Sequence, residues 1–165
     1  MQTVSQRLAL LRQRMARRGL DACVVVTDDF HGSEYVGDHF KTRAYLSGFT
    51  GSAGTLLVLA EEAYLWTDGR YFLQAERQLT GSGIELMRAG QPGVPTLSAF
   101  LAERLPEGGA LGFDGRTVST RLYRTLERRW RTNTSAWTAA LTRRRTCGRT
   151  DRPCPPRRCG RLTAA

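Results

Sequence analysis

The sequence predicts an α/β fold of three layers, in which a mixed and mostly parallel sheet lies between helices. Three observations lead there. Short β-prone apolar runs alternate with stretches of helical period, the pattern of a layered α/β domain. The first run, Asp21-Ala-Cys-Val-Val-Val-Thr27, is apolar almost throughout, which suits a strand covered on both faces. Residues 54–60 and 63–67 are β-prone runs separated only by Glu61 and Glu62, a hairpin signal that places an antiparallel pair in the sheet.

Each element has its own local grounds. Leu8, Leu11, Met15 and Leu20 recur near helical spacing, so a helix is expected over residues 5–18, with Gly19 at its C′ position. The polar, Gly-containing segment 28–39 reads as a long loop. Residues 42–46 form a short helix that Gly48 ends. Asp68 stands at an N-cap before a helix over 69–79, whose stripe is Tyr71, Phe72, Ala75 and Leu79. A strand follows at 84–87, then a turn-rich connection at 91–95 and a helix at 97–105 capped by Thr96. Residues 106–109 form a turn, 110–114 a strand and 118–127 a helix with Ser119 or Thr120 near its start. The expected core includes Val24, Val25, Leu57, Val58, Leu65 and Leu86. No internal repeat is evident.

Charge divides the chain in two. Residues 1–127 carry 14 Lys/Arg and 14 Asp/Glu, whereas residues 128–165 carry 11 Arg against Asp151 alone, which supplies the whole net charge of +10. Three of the four cysteines (Cys147, Cys154, Cys159) lie in that basic segment, spaced unlike a zinc knuckle. Leu141 and Leu162 are its only branched aliphatic residues. Such a composition buries too little apolar surface to offset the entropy of ordering, so disorder is expected from residue 128 onward. The abrupt change also suits an out-of-frame reading. One choice of synonymous codons for residues 128–140, shifted by one base, encodes Ala-Ala-Leu-Ala-Asp-Lys-His-Glu-Arg-Leu-Asp-Gly-Gly, which would continue the preceding helix. A natural basic extension is the alternative.

Several chemistries find little support. Gly48, Gly51 and Gly54 are not in the register of a dinucleotide-binding turn, and no phosphate-binding loop occurs. They read instead as a tight turn where backbone passes close to backbone. His31, Glu34, Asp38 and His39 share one loop but lack the helical His-Glu-x-x-His spacing of a zinc site, so structural or interfacial roles are favoured. The tail's arginines suit nonspecific adhesion to polyanions, but no aromatic-basic interleaving accompanies them, so specific nucleic-acid recognition is not expected. The N-terminus lacks the apolar core of a secretory signal, and no apolar run approaches the ~18 residues of a membrane span. A cytoplasmic protein without a membrane partner is therefore expected, with Cys23 a buried reduced thiol.

The densest motifs are Arg43-Ala-Tyr-Leu-Ser-Gly-Phe-Thr-Gly-Ser-Ala-Gly54, Ala63-Tyr-Leu-Trp-Thr-Asp-Gly-Arg-Tyr-Phe-Leu-Gln-Ala-Glu76 and, upstream, His31-Gly-Ser-Glu-Tyr35. Together they resemble the N-terminal domain of the aminopeptidase P (Xaa-Pro aminopeptidase) and creatinase family, over residues 4–127. The resemblance implies a creatinase N-terminal-like domain at 1–127, followed by the Arg-rich segment 128–165. It implies an accessory domain that supports oligomerisation and helps to wall the active site of a metallopeptidase. In that family two divalent ions, expected to be manganese, are held by a later catalytic domain that hydrolyses the bond before proline. None of that domain's ligand motifs occurs here. This chain is accordingly expected to be a truncated, inactive accessory domain that holds no metal or cofactor and has no catalytic residue. It would meet proline-containing peptides only through the missing domain. His31, Glu34, Tyr35, Arg43, Asp68, Arg70 and Tyr71 are candidate interface or substrate-shaping residues, weighed against plain structural pairing for Arg43 and Arg70. The expected partner is a homologous full-length peptidase or a second copy. Two rivals are a stand-alone interaction domain pairing with such a peptidase and a nucleic-acid binder acting through the tail.

Overall fold

A computed structural model describes residues 2–29, 31–32, 35–105, 108–128 and 130–134. Helix α1 spans Val4–Arg17. Its start is fixed by a capping box, in which Thr3 Oγ1 accepts from the Gln6 amide and the Gln6 side chain accepts from the Thr3 amide. Gly19, with φ 60°, closes it in the left-handed region. Then come β1 (Ala22–Val26), α2 (Thr42–Ser47), β2 (Thr55–Leu59), β3 (Ala63–Thr67), α3 (Phe72–Leu79), β4 (Glu85–Arg88), α4 (Leu97–Arg104), β5 (Ala110–Phe113), α5 (Thr120–Glu127) and β6 (Arg131–Thr134). Each expected element to residue 127 appears within a residue or two of its place. The helix expected over 69–79 divides into a 3-10 turn, Gly69–Tyr71, and α3. A second 3-10 turn, Asp38–Phe40, interrupts the long loop. Of the expected 106–109 turn, positions 106 and 107 lie outside the described residues.

The strand order is β4-β3-β2-β1-β5-β6. β2 pairs antiparallel with β1 and β3, while β3–β4, β1–β5 and β5–β6 are parallel. The sheet is thus mixed and mostly parallel, as expected. One consequence governs the rest. Because β2 alone is reversed, the five other strands all end on the same edge, and described residues of the loops after β1, β3, β4 and β5 gather there. Ligand sites of open α/β sheets lie beyond such carboxyl ends.

Alternation along the strands divides the core. Cys23, Val25, Leu56, Val58 and Leu65 face a layer formed by Leu8, Leu11 and Met15 of α1, Leu46 of α2, and Ala75 and Leu79 of α3. Val24, Leu57, Tyr64, Trp66, Met87, Leu111 and Phe113 face Phe100 and Leu101 of α4 and Leu126 of α5. Five of the six predicted core residues are buried. Leu86 is only partly so, because β4 is an edge strand and its neighbours cover it from one side.

Ordered structure continues past residue 127. Trp130 is 4% exposed and packs with Leu111, Phe113 and Leu126, and residues 131–134 pair with 110–113 as an added parallel strand. Composition misleads here because an edge strand is held by backbone hydrogen bonds on one side, and a single indole suffices to anchor it. The expected disorder of the remaining tail, together with Cys147, Cys154 and Cys159, falls outside the described residues.

Candidate functional site

The two densest motifs, separated in sequence by residues 55–62, meet at the carboxyl edge. Arg43 in α2 is only 2% exposed. Its Nε donates to Thr27 Oγ1 at 2.7 Å, just past the end of β1, and Nη1 donates to the Phe49 carbonyl at 2.6 Å. Nη2 donates to the Gly51 carbonyl. The guanidinium also lies over the Phe49 ring, 4.7 Å from its centroid. Burial draws the Arg43 pKa down to about 10, with partial relief from nearby Tyr71, so the group remains charged at neutral pH.

Around this clamp the loop from Gly48 to Gly54 is tightly wound. Gly48 ends α2 with φ 76°. A Cβ on Gly51 would stand 2.3 Å from Phe49 Cζ and 2.9 Å from Tyr71 Cδ1, which explains why only glycine fits. Tyr71 meets Phe49 edge to face and shares a 2.6 Å hydrogen bond with Ser52 Oγ. Thr67 Oγ1 donates to the Ala53 carbonyl at 2.7 Å. The glycine cluster is therefore the close-approach turn expected of it.

Asp68 and Arg70 form a closed unit on the same edge. The Asp68 carboxylate accepts from the Arg70 amide at 3.0 Å and from Nε and Nη2 at 3.0 and 2.9 Å. These bonds hold the Asp68 carboxyl below its ordinary pKa. Asp68 thus caps the 3-10 turn rather than the α-helix proper. The Arg70 side chain is 63% exposed, so this unit is presented outward.

Sequence reasoning missed its twin. Asp114-Gly115-Arg116 follows β5 as Asp68-Gly69-Arg70 follows β3, and its geometry repeats: amide and Nε to Oδ1 at 3.0 Å each, and Nη2 to Oδ2 at 2.7 Å. The repeated Asp-Gly-Arg tripeptide after a strand was the available signal.

The loop residues distribute differently. The His31 amide donates to Asp29 Oδ1 at 2.9 Å, with its ring Nδ1 3.6 Å from the other carboxylate oxygen. Asp38 pairs with Lys41 at 2.7 Å, and His39 Nε2 lies 3.4 Å from Arg116 Nη1. Tyr35 stands out in solvent, 86% exposed. Glu34 lies outside the described residues. Among the described residues no three His, Cys, Asp or Glu side chains gather as a metal group, so they do not fit a two-metal centre. The structure brings Arg43 and Tyr71 into one knot, with Asp68 and Arg70 beside it in sequence, and it divides their roles. Arg43, grouped with Arg70 as a candidate contact, is a buried internal clamp in this chain.

A profile of the creatinase/prolidase N-terminal domain family matches residues 7–145. The chain belongs to this family. Aminopeptidase P2 of Arabidopsis thaliana is 50% identical over 113 residues, covering 67% of this chain and 16% of that protein. Xaa-Pro aminopeptidase ApepP of Drosophila melanogaster is 43% identical over 131 residues, covering 76% and 21%. The fold superposes on X-prolyl aminopeptidase of Caenorhabditis elegans, described as a cytosolic enzyme with a dinuclear active site, with a TM-score of 0.75 and 31% identity over 93% of this chain and 26% of that one. It also matches a separately solved creatinase/prolidase-like N-terminal domain from Corynebacterium diphtheriae, with a TM-score of 0.59 and 25% identity over 80% and 95%. The chain therefore spans about a fifth of the length of the curated relatives it matches. The family match extends past residue 127, in keeping with the ordered Trp130 and β6. Among the described residues no helix is long and apolar enough to cross a membrane.

Proposed function

We propose that this chain serves as the non-catalytic N-terminal domain of an Xaa-Pro aminopeptidase-type metallopeptidase, presenting its carboxyl edge to a catalytic domain in the same assembly. The carrying observation is the division of labour between two arginines. Arg43 locks the edge from within, and Arg70, held in a fixed fork by Asp68, faces outward. A guanidinium whose geometry is already set loses little side-chain freedom when it meets a partner's carboxylate or carbonyl. In such an assembly two divalent ions would be held by the catalytic domain and would supply the Lewis-acid chemistry of peptide hydrolysis. This chain's residues contribute the wall and the docking surface.

The test is complementation in trans. A homologous Xaa-Pro aminopeptidase stripped of its own N-terminal domain is mixed with the full 165-residue chain, and hydrolysis of a Xaa-Pro tripeptide is measured. Restored turnover supports the reading, and Arg70→Ala should reduce it. Turnover by the chain alone, abolished by a chelator and by His31→Ala, would overturn it.

A further inference from the structure

Two Asp-Gly bonds follow strand ends in this chain, Asp68-Gly69 after β3 and Asp114-Gly115 after β5. At such a bond the glycine nitrogen, with no side chain crowding it, can attack the aspartyl Cγ. An N–Cγ bond forms, the Cγ–OH bond breaks, and the hydroxyl leaves as water with the amide hydrogen. Water then opens the cyclic imide at its main-chain carbonyl, and the chain runs on through isoaspartate. One water leaves and one enters, so nothing else is consumed. The neutral carboxyl is the reacting form, because a carboxylate has no hydroxyl to lose.

The fold restrains each participant at Asp68. Its carboxylate must give up three hydrogen bonds, from the Arg70 amide, Nε and Nη2, before Cγ can turn toward Gly69. Those charge-assisted bonds also favour the ionised, unreactive form. The Asp68 carbonyl accepts from the Tyr71 amide at 3.0 Å, and the backbone is extended at ψ 172°, whereas ring closure requires Cβ to eclipse the Gly69 nitrogen. Packing does not demand glycine at 69: a Cβ there would meet Phe72 Cε2 at 3.8 Å, an ordinary contact. Asp114 has the same fork from Arg116 and better cover, its side chain 8% exposed against 41% for Asp68. We infer that Asp68-Gly69 is a latent site of isoaspartate formation that the Arg70 fork holds in check, and that burial adds a second guard at Asp114-Gly115. The inference is independent of the accessory-domain reading.

The full chain and the blocked peptide of residues 66–71 are incubated in warm, weakly acidic buffer, and isoaspartate is followed by peptide mapping. Asp68 should isomerise more slowly in the chain than in the peptide, and Asp114 more slowly still. Arg70→Ala should raise the rate at Asp68 by about two- to fivefold, the worth of an exposed ion pair that the reacting carboxyl no longer has to break. Arg70→Lys, which keeps the charge and loses the fork, should fall between, and Gly69→Ala should slow the reaction by crowding the nitrogen. An unchanged rate in Arg70→Ala, a chain that reacts as fast as the peptide, or isomerisation first at Asp114 would overturn the inference. A matching rise at Asp114 in Arg70→Ala would trace the effect to general loosening of the fold and overturn it equally.

Discussion

Arg43 donates to the carbonyl of Phe49 at 2.6 Å while its guanidinium covers the ring of the same residue at 4.7 Å. One side chain thus fixes both the backbone and the side chain of a residue six positions on. It also ties the 48–54 turn to the end of β1 through Thr27.

Replacing this clamp should be costly. Arg43→Ala leaves the Phe49 and Gly51 carbonyls without their donors, and unsatisfied buried groups cost about 1–3 kcal/mol each. A loss of at least 2 kcal/mol is expected in urea denaturation. Arg43→Lys should recover little, since an ammonium cannot span three acceptors in the plane of a guanidinium. A variant as stable as the parent would show that the clamp contributes nothing.

Gly51→Ala tests the close approach directly. The added methyl meets the Phe49 and Tyr71 rings rather than a flexible chain end, so overpacking of about 1–3 kcal/mol is expected. A rise in melting temperature would contradict the packing described here.

Two truncations locate the end of the domain. Stopping after residue 134 should preserve the melting temperature, whereas stopping after 127 removes Trp130 and β6 and should lower it. Trp130→Ala alone should cost about 3–5 kcal/mol if the indole anchors the edge strand. Equal stability of both truncations would return the boundary to 127.

The Asp68 carboxyl, lowered by its bond to Arg70, sets a pH window. Its folded pKa lies below the unfolded value, so its stabilisation is present above the ordinary Asp range and lost as pH falls through the folded pKa. Carboxyl titration by NMR should show Asp68 ionising below a normal Asp, and Arg70→Ala should return it toward 3.8. At neutral pH that substitution should change stability by less than about 1 kcal/mol, because the pair is exposed.

Much of this fold can be read locally. Thr3, Thr96 and Ser119 accept from backbone amides at the starts of three helices, and Gly48 ends a fourth. These are short-range events governed by hydroxyl acceptors and left-handed backbone, so the sequence alone determined them. Apolar period likewise determined which side of α1 and which residues of β1 would be covered. The dense motif stretches, with their resemblance to one family, determined what kind of domain this is. Tertiary structure decided the rest. Arg43 and Arg70 are both arginines in glycine-rich motifs, and only the packing of Phe49, Thr27 and the 48–54 turn around one of them makes it a buried clamp. β6 was illegible for the same reason: residues 131–134 carry no apolar alternation, and their strand exists through hydrogen bonds to residues 110–113, about twenty positions earlier. Burial and edge pairing depend on what distant segments bring alongside, which no local pattern records.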